Sequence, residues 1–139
     1  MRRRPAPTLV GMLSLCMAAA PAFAGEPVTT ASGLVYESVT DGNGSQPGAA
    51  DTVRVHYRGT YPDGREFDSS YKRGQPIEFP LDRVIPCWTE GVQRMKVGGK
   101  ARLTCPPAIA YGSRGGPGGV PPNATLLFEV ELLGVRAGR

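Results

Sequence analysis

The stretch V-I-P-C-W-T-E-G-V-Q-R-M-K, residues 84–96, decides how the rest of the chain is arranged. Trp88, Val92 and Met95 stand at i, i+4 and i+7, one apolar stripe of a 3.6-residue period, so the stretch is predicted to be helical. Pro86 suits the first turn, where a missing N–H costs nothing, and Gly98 with Gly99 supply the stop. No other segment beyond residue 24 carries this period. The remaining periodic stretches alternate or are punctuated by Gly and Pro, which predicts an α+β fold with a sheet folded over one short helix. The only Trp is then the candidate floor of any cavity between them.

Outward from the helix, residues 52–61 alternate cleanly, with Val53, Val55 and Tyr57 on one face and Arg54, His56 and Arg58 on the other. That is a half-buried strand. Pro62-Asp63-Gly64 is a turn in which Pro sets φ and Gly takes a positive one. Residues 65–69 are therefore expected to return antiparallel, bringing Phe67 and Asp68 near Tyr57. Residues 34–39 form a further predicted strand, ended by the turn cluster Asp41-Gly42-Asn43-Gly44, and residues 76–80 a short edge-like one. Residues 100–105 alternate with Ala101, Leu103 and Cys105 inward. Residues 106–123 are predicted to be a long loop with five prolines and five glycines, a length that usually has a function. Residues 125–135, with Leu126, Phe128, Val130 and Leu132 on one side, are the most apolar strand and are expected to be central.

The first 24 residues read as a cleaved secretory signal: a basic head (Arg2, Arg3, Arg4), an uncharged apolar run over 8–20, and Ala22-Phe23-Ala24 before Gly25. The run is too short to anchor the chain in a bilayer. Leu15 stands before Cys16 where a lipidation signal needs a small residue, and nothing after the triple Arg supports a twin-arginine signal. Residues 25–32 are a polar lead. Cleavage takes three of the 16 basic residues, leaving 13 against 12 acidic ones. The net charge of +4 thus falls to +1, the surviving basic residues are scattered, and no nucleic-acid footprint remains. Cleavage also leaves two of three cysteines, Cys87 and Cys105. An even count in an oxidising compartment favours one disulfide, closing a loop worth about 3 kcal/mol in the chain-entropy model. The alternative is two buried thiols acting as small hydrophobes.

The chemistry-bearing residues exclude several classes. His56 is the only His and there is no Cys-x-x-Cys, so no metal site is expected. No second His exists to activate a Ser, and Val97-Gly98-Gly99-Lys100 lacks the spacing of a phosphate loop. What remains is a set of aromatic and aliphatic residues fit to line a pocket, although each taken singly is more often a core residue than a site residue. Asp68 differs, because a carboxylate directly after a buried Phe needs a partner such as a Tyr hydroxyl or an Arg.

The strings V-H-Y-R-G-T (55–60), D-G-R-E-F-D-S-S (63–70), V-I-P-C-W-T-E-G (84–91), A-Y-G (110–112) and P-P-N-A-T-L-L-F-E-V-E-L-L (121–133) resemble the FKBP family of peptidyl-prolyl cis-trans isomerases, which also bind macrolides. The resemblance runs over residues 33–136 and implies a five- to six-stranded antiparallel sheet wrapped around a short helix, with the pocket between. Carried over by position, it makes Trp88 the floor under a substrate proline ring, with Phe67, Tyr57 and Phe128 as walls. The Ile85 N–H and the Tyr111 hydroxyl become donors to substrate carbonyls. Asp68 faces the twisting peptide, held by Tyr57 and Arg73, and Ile77, Phe79, Val84 and Val120 complete the binding surface. Three departures from the family pattern stand out. Ile77 replaces a frequent aromatic, Gly116 and Gly119 occupy loop positions where larger residues occur, and Cys87 and Cys105 replace a Gly and an aliphatic residue.

The expected function is therefore cis-trans isomerisation of X-Pro bonds in exported proteins, a slow folding step when uncatalysed. No cofactor or covalent intermediate is expected, and the expected setting is the periplasm, with the chain monomeric and unanchored. The alternatives are a non-catalytic module holding a Pro-containing segment or a macrolide, and a general holding chaperone.

Overall fold

In the computed structural model, which describes residues 25–137, the alternating stretch T-V-R-V-H-Y-R-G-T forms strand β3 (Thr52–Thr60). Its inward residues Val53, Val55 and Tyr57 are buried at 0%, 0% and 4% exposure. The apolar run near the C-terminus forms β7 (Leu126–Arg136), paired with β3 on one side and with β6 (Lys100–Cys105) on the other. Both residues of every inward pair between these three strands are branched, aromatic or sulfur-bearing, apart from Ala101 and Gly59, and this makes the centre of the sheet its most apolar part.

β2 (Val35–Thr40) pairs with β6, and β1 (Val28–Thr29) pairs with β2. At the other edge, β3 divides its free side between β4 (Glu66–Ser69), along its second half, and β5 (Ile77–Pro80), along its first. All pairs are antiparallel, so the sheet has seven strands in place of the expected five to six. The extra strand is β1, two residues of the polar lead, too short to show any period.

The central helix α2 spans Pro86–Val92, shorter than the stretch 84–96 that the apolar stripe marks. The Gln93 side chain caps its end. Gln93 Nε2 donates to Thr89 O at 2.8 Å, serving one of the carbonyls at the end of the helix. Arg94 and Met95 N–H then bond three residues back, to Gly91 O and Val92 O, and this tighter winding keeps Met95 in the core at 3% exposure. The helix lies on β6 through two contacts one turn apart. Cys87 is disulfide-bonded to Cys105, with Cα atoms 5.7 Å apart, and Gly91 faces Leu103. A Cβ on Gly91 would stand 2.7 Å from Leu103 Cδ2, so glycine is what lets the helix approach.

Helical structure is not confined to α2. A single turn, α1 (Ser70–Arg73), follows β4, with Ser69 Oγ accepting from Lys72 N–H at 3.2 Å and Gly74 ending it at φ 76°. Four 3-10 turns cover Leu81–Arg83, Pro107–Ile109, Gly112–Arg114 and Pro117–Gly119. The long loop is thus largely made of three such turns, tied by Asn123 N–H to Gly112 O at 2.8 Å. The signal expected at residues 1–24 lies outside the described residues. Among the described residues no helix is long and apolar enough to cross a membrane.

Candidate functional site

Between the N-terminal end of α2 and the inner face of the sheet lies a cavity of about 480 Å³, open on one side. Trp88 forms its floor. Three rings meet the indole edge to face: Tyr57 at 5.3 Å, Phe79 at 5.3 Å and Phe128 at 5.4 Å between centroids. Phe67 meets Phe128 at 5.7 Å and extends the wall. Edge-to-face pairs are worth about 0.5–1.5 kcal/mol each beyond burial, so the box is formed by the protein's own packing.

A register slip gives the cavity its polar edge. Gly59 opposes Asp68 and Thr60 opposes Glu66, so Phe67 opposes no residue of β3. In a regular strand Phe67 and Asp68 would face opposite sides; the bulge lets both line the cavity. Gly59 makes room for it, since a Cβ there would sit 2.7 Å from Phe67 Cζ and 3.0 Å from Phe128 Cε1. A glycine in the inward phase of a strand signals such a close approach, and V-H-Y-R-G-T carries it in the sequence.

The three residues Asp68, Ser69 and Ser70 each hold a different part of the site. The Tyr57 hydroxyl donates to Asp68 Oδ2 at 2.5 Å, Arg73 Nη1 donates to Oδ1 at 2.8 Å, and the Ser69 N–H donates to Oδ1 at 2.9 Å. Arg73 Nη2 also donates to the Tyr57 hydroxyl at 3.1 Å, closing a ring of three side chains. Ser69 caps α1, the turn that carries Arg73. Ser70, fully buried, accepts from the Tyr57 N–H at 2.7 Å and bonds His56 Nδ1 at 2.8 Å, fixing the backbone behind Tyr57. His56 itself lies on the outer face, stacked on Tyr71 at 4.5 Å.

Burial pushes the Asp68 carboxyl up, but the bonds from Tyr57 and Arg73 outweigh it and hold the group below the usual carboxylate range. Burial, followed by the bond to Asp68, raises the Tyr57 hydroxyl. Burial and then the Asp68 charge raise Tyr111. At neutral pH the edge therefore consists of an ionised, fully engaged carboxylate and two protonated phenols.

Two unused donors at the cavity are placed to meet a peptide backbone. The Tyr111 hydroxyl has no hydrogen-bond partner among the described residues, although the residue is half-buried. Neither has the Ile85 N–H, which stands at the N-cap of α2 with the extended backbone (φ −59°, ψ 148°) that Pro86 imposes on its predecessor. Unsatisfied donors beside an apolar floor are suited to anchoring a peptide by its carbonyls. Tyr111 is held by the long loop: a Cβ on Gly116 would stand 2.6 Å from its ring, so that glycine seats the loop flat against it.

Of the residues expected from sequence, Tyr57, Phe67, Asp68, Arg73, Ile77, Phe79, Val84, Ile85, Trp88, Tyr111 and Phe128 all line this one cavity. Val120 does not. It is 5% exposed and pairs with Gly116, so it packs beneath the loop. Arg83 lines the cavity and carries no sequence signal, because the 3-10 turn that aims it has no period to read. Among the described residues, no three His, Cys, Asp or Glu side chains are placed to hold a metal ion.

Residues 43–133 match the family model described as FKBP-type peptidyl-prolyl cis-trans isomerase. The FKBP-type peptidyl-prolyl cis-trans isomerase FkpA of Escherichia coli is 56% identical over 108 residues, which are 78% of this chain and 40% of that protein. The FKBP-type 22 kDa peptidyl-prolyl cis-trans isomerase of the same organism is 50% identical over 105 residues, covering 76% and 51%. The chain therefore spans about two fifths to one half of the length of these relatives. Among solved structures, the crystal structure of E. coli FkpA superposes with a TM-score of 0.78 at 53% identity, over 81% of this chain and 53% of that one. AtFKBP13 superposes with a TM-score of 0.72 at 36% identity, over 81% and 100%.

Proposed function

From the premise that the chain belongs to the FKBP-type peptidyl-prolyl cis-trans isomerase family, we propose that it accelerates rotation about X-Pro bonds in this cavity. The observation that supports the reading best is the pairing of an aromatic box with two unused donors, the Ile85 N–H and the Tyr111 hydroxyl. The box takes the proline ring and the donors take carbonyls of the flanking residues.

The uncatalysed rotation crosses a barrier of about 18–20 kcal/mol, because the twisted amide loses its resonance. Resonance also makes the planar amide the more charge-separated form. Burying an amide dipole without a hydrogen bond costs roughly 2–7 kcal/mol, and the twisted form, with less charge to desolvate, escapes part of that cost. Each 1.36 kcal/mol of this difference is about a tenfold gain in rate. The donors must therefore serve carbonyls other than the rotating one, since a bond to that oxygen would favour the planar form. Asp68, held ionised by Tyr57 and Arg73, bounds the side on which the peptide turns.

The substrates are then X-Pro segments of proteins exported with this one, and macrolides occupy the same box. Residues 1–24 act as the export signal, 25–32 as a lead and 33–136 as the isomerase domain, which works as a periplasmic monomer. The test is isomerisation of an X-Pro peptide by the purified protein, with and without a macrolide, beside Trp88→Ala and Asp68→Val. Inhibitable turnover that falls in both variants is the expected result. Macrolide binding without turnover would make the protein a binding module instead.

A further inference from the structure

Leu81–Arg83 forms one 3-10 turn between β5 and α2. With three residues per turn, its side chains leave in three directions about 120° apart. Leu81 is fully buried, and its N–H donates to Asp51 O at 2.9 Å, which locks the turn onto the start of β3. Asp82 turns to a separate groove shared with Thr89 and Glu90, on the far side of Val84. Arg83 is left at the rim of the aromatic cavity.

Charge at that rim is unbalanced. The Asp68 carboxylate is taken up by Arg73 at 2.8 Å and by Tyr57 at 2.5 Å. Arg83 makes no ion pair among the described residues. Of the charged side chains lining the cavity, Asp68 and Arg73 cancel and one guanidinium remains. It stands two residues before Ile85, so a peptide anchored on the Ile85 N–H carries the residues next to its proline past Arg83. A guanidinium offers a carboxylate two parallel donors, a geometry that an ammonium or an amide lacks.

We propose that Arg83 is a specificity-determining residue, selecting X-Pro segments with a carboxylate side chain next to the proline over segments with a cation there. The inference rests on the isomerase reading above and names the substrate class that the site prefers. Its size is that of an exposed ion pair, which corresponds to about a three- to fivefold difference in kcat/KM between Glu and Lys peptides at low salt. The difference should shrink in 1 M NaCl, where the screening length is about 3 Å.

The experiment measures kcat/KM for four peptides, with Glu or Lys at the residue before or after a single Pro, using the wild-type protein, Arg83→Gln and Arg83→Glu. Circular dichroism of each variant establishes that it is folded. The expected result is a Glu:Lys ratio above one for at least one position, falling to about one in Arg83→Gln and inverting in Arg83→Glu. Wild-type turnover with a ratio that neither variant changes, at either position, would overturn the inference and leave the isomerase reading intact. No turnover of any of the four peptides by the wild type would overturn both.

Discussion

Breaking the Cys87–Cys105 bridge tests whether it acts on the folded site or on the unfolded chain. The bond closes a loop with a sequence separation of 18, and both residues are fully buried. In the chain-entropy model such a loop is worth about 3 kcal/mol, because the reduced unfolded chain gains conformations the bridged one lacks. For a domain of this size that lowers Tm by on the order of 10 °C. The site should survive. α2 also rests on β6 through Gly91 against Leu103, and Trp88 is boxed by Tyr57, Phe79 and Phe128. Protein refolded with reduced thiols, and the pair Cys87→Ala with Cys105→Val, should therefore unfold at lower denaturant with a larger m value, since the released chain expands further. At a temperature well below both transitions, kcat/KM on an X-Pro peptide should stay within twofold of the oxidised protein. A stability change below 1 kcal/mol with a tenfold loss of kcat/KM would refute this reasoning and make the bridge a positioning device for Trp88.

Gly59→Ala places a Cβ 2.7 Å from Phe67 and 3.0 Å from Phe128, so overpacking should cost about 1–3 kcal/mol in denaturant melts and lower kcat/KM by displacing two walls at once. Tyr111→Phe removes a hydroxyl with no partner among the described residues, so stability should hold while kcat/KM falls by up to about tenfold, the worth of one neutral hydrogen bond. The folded Asp68 is depressed relative to the unfolded chain, so its stabilising contribution is complete above the ordinary Asp range and is lost only as pH falls through the lower folded value. Melts between pH 6 and 2 should show an acid-dependent step that Asp68→Asn abolishes; an unchanged profile in that variant would assign the step to other carboxylates.

How much of the fold is legible in the sequence follows from how many residues each feature needs. β3, β6 and β7 repeat their alternation over 9, 6 and 11 residues, enough for the inward set to be read directly. The stripe Trp88, Val92 and Met95 was equally legible, but it overstated the helix. Burial of Met95 needs only the right direction, and the tighter turn after Val92 supplies that as well as a helix does. Features of one to four residues left no period: β1, α1 and the 3-10 turn that aims Arg83.

The site divides along the same line, and the division has a physical cause. Side chains on period-two strands, such as Tyr57 and Phe128, are placed by alternation, which one chain segment records. Phe67 and Asp68 are placed together only by a slip between two strands, which neither strand records alone. Their joint presence in the cavity is implied by the family resemblance alone, while the residue that makes it possible, Gly59, carries no side chain whose direction alternation could reveal. Val120 fails for the converse reason. Its place depends on the fold of the long loop, where the bridge to Gly116 turns an apolar side chain into the core and leaves Tyr111 to face the cavity. Replacing Gly116 should therefore disturb the Tyr111 donor and the seat of Val120 together, although neither is its neighbour in sequence.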